Sequence, residues 1–153
     1  MKLLTILCVS LFLTVPLTSQ ESPELKEASD LTQAFLKLVN EQKYDQALPL
    51  AKRALEIRQR LLPRDDPAIG NSLIYLVHIY DGKRDYGKAK ETLLRLLQYQ
   101  TERFGTDNVK LAPTLERLAV LYYRDGDKSK AEDAYKRSLA AKEKEYGMDH
   151  VEV

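Results

Sequence analysis

The sequence predicts an all-α fold: three stacked antiparallel helix hairpins, an α-solenoid of six helices. Three observations predict it. The chain repeats itself every 42 residues, so that Ala47 falls on Ala89 and Ala131, Leu55 on Leu97 and Leu139, and Asp65 on Asp107 and Asp149. Arg53, Arg95 and Arg137 keep the same step, as do Leu31, Leu73 and Leu115. A fixed period with small residues at helix-packing positions marks a repeat array. Within each unit the apolar residues recur three and four positions apart, and no window shows the sustained alternation of a half-buried strand. Finally, Pro, Gly and Asp fall where the periodic segments end.

The elements follow in order. Ser22-Pro23-Glu24 starts a helix, with Pro at the first helical position and acids in the first turn. Its stripe of Leu31, Ala34, Phe35, Leu38 and Val39 stops at Asn40. A second helix runs from Tyr44 to Leu61 with Ala47, Leu48, Ala51, Ala54, Leu55 and Leu62 inward, and Pro63 to Asp66 ends it. Asp66 caps a third helix with Pro67 at its first position, carrying Leu73, Leu76, Val77 and Tyr80 and stopping near Gly82. The fourth helix spans Tyr86 to Phe104. Asn108 caps a fifth, with Leu115, Leu118, Ala119 and Tyr122, which stops near Gly126. The sixth spans Lys128 to Tyr146, and Gly147 suits the left-handed residue that closes a helix. The repeat units are residues 28–66, 67–108 and 109–147, preceded by a linker or helix extension at 20–27. Residues 148–153, with His150-Val151-Glu152-Val153, carry the letters that would start a further first helix. Either the chain is a natural stub, or the sixth helix leaves an apolar strip of Ala134, Leu139 and Ala141 for something to cover. The alternative roles are then stacking on a second copy of the chain, or service as an accessory subunit or remnant of a longer multidomain chain.

Residues 1–19, MKLLTILCVSLFLTVPLTS, have one positive residue, an apolar run from Leu3 to Leu17, and small polar residues at the end. This is the layout of a secretory signal cleaved after Leu17-Thr18-Ser19, or of an N-terminal anchor that is never cut. The run is short for a bilayer span, and Pro16 interrupts it. Either reading places the rest of the chain in the periplasm or outside the cell, and contact with a membrane is expected only if the segment stays uncut. All 23 acidic residues and every basic residue but Lys2 follow Ser19, so the remainder has a formal charge of zero. A neutral chain lacks the clustered basic excess that nucleic acid requires. The single cysteine, Cys8, lies in the apolar run, which leaves the repeats without thiols and compatible with an oxidising compartment.

The letters of the unit resemble the tetratricopeptide repeat. In first helices they are Leu76-Val77 with Tyr80 and Leu118-Ala119 with Tyr122; in second helices, Tyr44 with Ala47, Tyr86 with Ala89, and Ala131 with Tyr135. The common unit has about 34 residues, whereas this one has 42, the excess lying in LLPRDDP, RFGTDNV and EYGMDHV. That lengthening resembles the kinesin-light-chain type. The resemblance implies a concave groove lined by first helices, at Thr32, Leu36 and Val39, then Asn71, Ile74, His78 and Asp81, then Glu116, Val120 and Tyr123, with Ser29 and Pro113 beside them. An apolar groove with a few polar orienting groups suits an extended peptide or a helix of a protein partner; packing between hairpins is the alternative use of the same positions. Thr32, Leu36 and Ile74 stand where relatives that hold a C-terminal carboxylate carry Lys and Asn, which disfavours that use.

Catalysis has no candidate. His78 and Asp81 are three apart on one helix, but no third group completes an acid–base or metal set, and no cofactor motif is present. The glycines do not form a phosphate loop, and no serine sits in a nucleophile elbow. The basic clusters Lys52-Arg53, Arg58-Arg60 and Lys142-Lys144 are interleaved with Glu56, Glu143 and Glu145 and are expected to form ion pairs along helix faces.

Overall fold

A computed structural model describes residues 22–147. The assignments of a signal at 1–19 and of a further repeat at 148–153 lie outside them. The described residues form six α-helices and no strand. They are α1 (Pro23–Asn40), α2 (Tyr44–Leu61), α3 (Pro67–Gly82), α4 (Tyr86–Phe104), α5 (Ala112–Arg124) and α6 (Lys128–Tyr146), with a 3-10 turn at Val109–Leu111 before α5. Each odd helix packs on the following even one, and α2 meets α3 as α4 meets α5, so three hairpins stack in chain order.

The starts obey local chemistry. Ser22 accepts a hydrogen bond from the Leu25 amide at 3.4 Å, and Asp66 from the Ala68 amide at 2.8 Å. Asp85 and Asp127, one repeat apart, cap α4 and α6 through the Lys88 and Lys130 amides, each at 3.1 Å. The fifth helix departs from expectation. Asn108 does cap, receiving the Lys110 amide at 3.0 Å, but what it caps is the 3-10 turn. An α-helix begun at Val109 would need Pro113 to donate to the Val109 carbonyl, and Pro has no N–H. The chain instead closes tightly, Ala112 donating to Val109, and α5 starts there.

The turns inside hairpins repeat as faithfully as the helices. Gln42, Arg84 and Gly126 take positive φ of 58°, 58° and 80°. In each case the following amide reaches back five residues: Lys43 to Leu38, Asp85 to Tyr80 and Asp127 to Tyr122, at 2.8–2.9 Å. This is the Schellman closure. Gly82 therefore is not the left-handed residue that ends α3; Arg84 is. Gly82 has a different task, because a Cβ there would overlap the Tyr44 ring, as one at Gly70 would overlap Tyr99. After α4 and α6, Gly105 (φ 86°, ψ 168°) and Gly147 (φ 80°, ψ 159°) leave in an extended conformation open essentially to glycine alone. Gly147 thus ends its helix with positive φ but without the left-handed curl expected of it. Pro63 occupies the same register place in the first unit.

The core runs through the stack, with Phe35, Ile57, Ile79, Leu111, Leu115 and Leu118 the largest apolar side chains closed off from solvent. Ala47, Ala89 and Ala131 are buried where paired helices approach.

Candidate functional site

The positions expected to line a groove divide into two sets. On α1, Thr32, Leu36 and Val39 are half-buried, the last two packed against the core. The Thr32 hydroxyl donates to the Ala28 carbonyl at 2.8 Å and accepts from Arg58 Nη2 at 2.8 Å. Asp81 is held by Arg117, an ion pair that ties α3 to α5. Glu116 accepts from the Ser138 hydroxyl at 2.8 Å and pairs with Lys142. Its carboxyl is pushed below the ordinary range, first by the Lys142 ammonium bonded to it and then by Ser138, against an opposing effect of burial. These side chains already have partners within the stack.

The second set is free to meet something else. Asn71, Ile74 and His78 on α3, and Val120 and Tyr123 on α5, are exposed, Ile74 and Val120 by 49% and Tyr123 by 65%. Spacings of three and four residues put each helix's members on one face. Isolated apolar residues at a surface are ordinary; here three large ones stand on successive first helices. His78 stands edge-on to the Tyr44 ring with centroids 6.4 Å apart, while Asp81 turns to Arg117, so the two do not form an acid–base pair. Among the described residues no three His, Cys, Asp or Glu side chains are placed to share a metal ion. No described helix is long and apolar enough to cross a membrane.

Two features escaped the sequence. Arg58 does not lie along its helix face in an ion pair. It turns inward, Nη1 donating to Ser72 Oγ at 2.7 Å and Nη2 to Thr32 Oγ1 and the Ala28 carbonyl, and so joins α1, α2 and α3. Burial pushes its guanidinium pKa down, although the group stays charged. The signal for it was the register: Gln100 and Lys142 follow Arg58 at the period, as Thr114 follows Ser72. Arg53 bonds both Glu56 on its own helix and Glu27 on α1, and Arg60 reaches Glu24 on α1, so these pairs join helices as well as decorate them.

The second feature is an open apolar cleft of about 720 Å³ at the α5–α6 end of the stack, lined by Tyr123, Ala131, Tyr135, Ser138 and Leu139, with Glu116 and Lys142 at its edge. The strip expected on α6 is displaced accordingly. Ala134 and Ala141 are buried, and the exposed large apolar residues of α6 are Tyr135, Leu139 and Tyr146. Alanines on an amphipathic helix fit against a neighbour, whereas the larger Tyr and Leu at this end have no following hairpin among the described residues to enter.

Comparison with known proteins agrees with this geometry. A family model described as "Tetratricopeptide repeat" matches residues 76–144, and a second of the same description matches residues 38–68. The crystal structure of the TPR domain of FLU from Arabidopsis is similar with a TM-score of 0.65 and 19% identity, over 80% of this chain and 99% of that one. At such identity the likeness shows the fold alone. No curated protein matches.

Proposed function

The chain carries tetratricopeptide repeats, and from that premise we propose that it is a non-catalytic module that receives a partner protein on its first-helix face. Repeats of this kind are in general protein-interaction scaffolds. The observation that carries the reading is the exposed run of Ile74, Val120 and Tyr123 beside Asn71 and His78. Apolar anchors flanked by hydrogen-bonding side chains suit an extended peptide or one face of a helix. The groove's working part is α3 and α5, since the α1 positions are engaged in packing. We read the unit as the kinesin-light-chain type, on the strength of the 42-residue period that the turns at Gln42, Arg84 and Gly126 share. The N-terminal apolar segment supports export to the periplasm or beyond, which fractionation and N-terminal sequencing of the expressed protein test.

The binding experiment is a pull-down from the envelope fraction with residues 20–153, beside an Ile74→Glu/Val120→Glu variant, since Tyr123 also lines the α5–α6 cleft. A partner held by the first and lost by a variant of unchanged helicity supports the groove. Loss of helicity in the variant would show that these side chains maintain the fold instead. A second reading is self-association through α6, favoured by the cleft around Tyr135 and Leu139.

A further inference from the structure

We propose that the α5–α6 cleft receives the outer face of α1 from a second copy, so that chains stack head to tail in continuation of the 42-residue register. This deepens the self-association reading and rests on it. The joints inside the chain show what such a contact would contain. At the first joint Arg58 on α2 bonds Ser72 on α3. One register step carried past α6 puts Lys142 opposite Asp30 of the second copy, a cation against an exposed carboxylate. At the second joint Lys110 lies over the Phe104 ring, 4.5 Å from its centroid. The same step sets Lys26 of the second copy over Tyr146, which is 56% exposed on α6. Leu55 lines one cleft with Leu76 and Tyr80 at the first joint. Its counterpart Leu139 would meet Ala34 and Leu38. The exchange is one of size as well as charge: α6 presents the bulkier Tyr135 where α2 has Ala51, and α1 presents the smaller Ala34 where α3 has Leu76. Two like-charged pairs arise, Glu132 against Glu41 and, in the place where Gln59 and Ile69 line one cleft, Glu143 against Glu27. Glu132, Glu41 and Glu27 each carry their own cation, Lys136, Lys43 and Arg53.

An interface joining two different faces cannot end at a symmetric dimer, and one that continues the stacking of the repeats builds open chains. The test is sedimentation velocity of the full chain, in the form the expressing cell makes, across a wide concentration range. Wild type should grow past the dimer with concentration. Lys142→Glu and Asp30→Lys should each weaken association roughly tenfold. Mixing the two variants in equal amounts should restore it, since every tail–head contact in an alternating chain is then complementary. The exposed Asp30→Lys substitution keeps the test decisive should Lys142→Glu disturb Glu116 and the fold. Growth that stops at a dimer and ignores both reversals would overturn the head-to-tail arrangement while leaving self-association through α6 standing. A monomer at every concentration would overturn both.

Discussion

The two joints between hairpins occupy the same places in the register and are closed by different chemistry. At the α2–α3 joint a charged guanidinium spreads its donors over Ser72, Thr32 and the Ala28 carbonyl. At the α4–α5 joint Gln100 stands in the same place. Its amide donates to the Lys110 carbonyl at 3.3 Å, and its Oε1 is buried with no partner among the described residues. Helix α3 enters its joint directly from the Asp66 cap, whereas α5 is preceded by the 3-10 turn that brings Leu111 under α4 and α6. The lesson is that the repeat conserves which position closes a joint and leaves open whether polar bonds or apolar packing do the closing.

That contrast can be broken by deleting the apolar plug of the second joint. Leu111 is fully buried, and Leu111→Ala should cost about 2–5 kcal/mol in urea unfolding. A loss under about 1 kcal/mol would mean the second joint is not held by packing. Arg58→Met keeps the apolar stem and removes the donors, and should cost about 1–2 kcal/mol. Hydrogen exchange should rise first in α1 and α3, the helices it joins; an evenly distributed rise would contradict its role as a clamp. Gln100→Leu should be neutral or stabilising by up to about 1 kcal/mol, because it removes a buried oxygen without a partner. A clear destabilisation would show that this oxygen is satisfied and that the two joints are more alike than they look.

The smallest effect lies at the end of the stack. Because the folded Glu116 carboxyl titrates below its ordinary value of 4.5, the folded state binds the fewer protons. The stability it contributes is then fully present above that value and is lost as pH falls through the lower folded one. Hydrogen exchange in α6 should accordingly speed up relative to α2 on acidification, and Glu116→Gln should abolish the difference. An α6 indifferent to pH across that range would remove the Lys142–Glu116 link from the description of the tail.

Much of this architecture was legible in the residues. The bounds of α2, α4 and α6 follow from apolar spacing, and the caps at Ser22 and Asp66 follow from side-chain oxygens beside Pro at the first helical position. The surface was legible only in part. Periodicity says which face of a helix a residue occupies, and it put Thr32, Ile74 and Glu116 at one register place. It does not say what arrives from other helices to occupy that face. Thr32 meets Arg58 and Glu116 meets Lys142, while Ile74 stays exposed.

The period, the helices and the stacking order follow from the residues alone, because they arise from local propensity and from apolar patterning that each hairpin repeats. The remaining features depend on which helices meet. Arg58 has enough reach to lie in solvent or to turn inward, and the choice depends on acceptors 14 and 26 residues away at Ser72 and Thr32. Arg84 rather than Gly82 adopts the left-handed turn, in register with Gln42 and Gly126, and Gly82 instead leaves room for the Tyr44 ring from α2. Side chains long enough to choose between neighbours take their positions from those neighbours, which only the assembled helices supply.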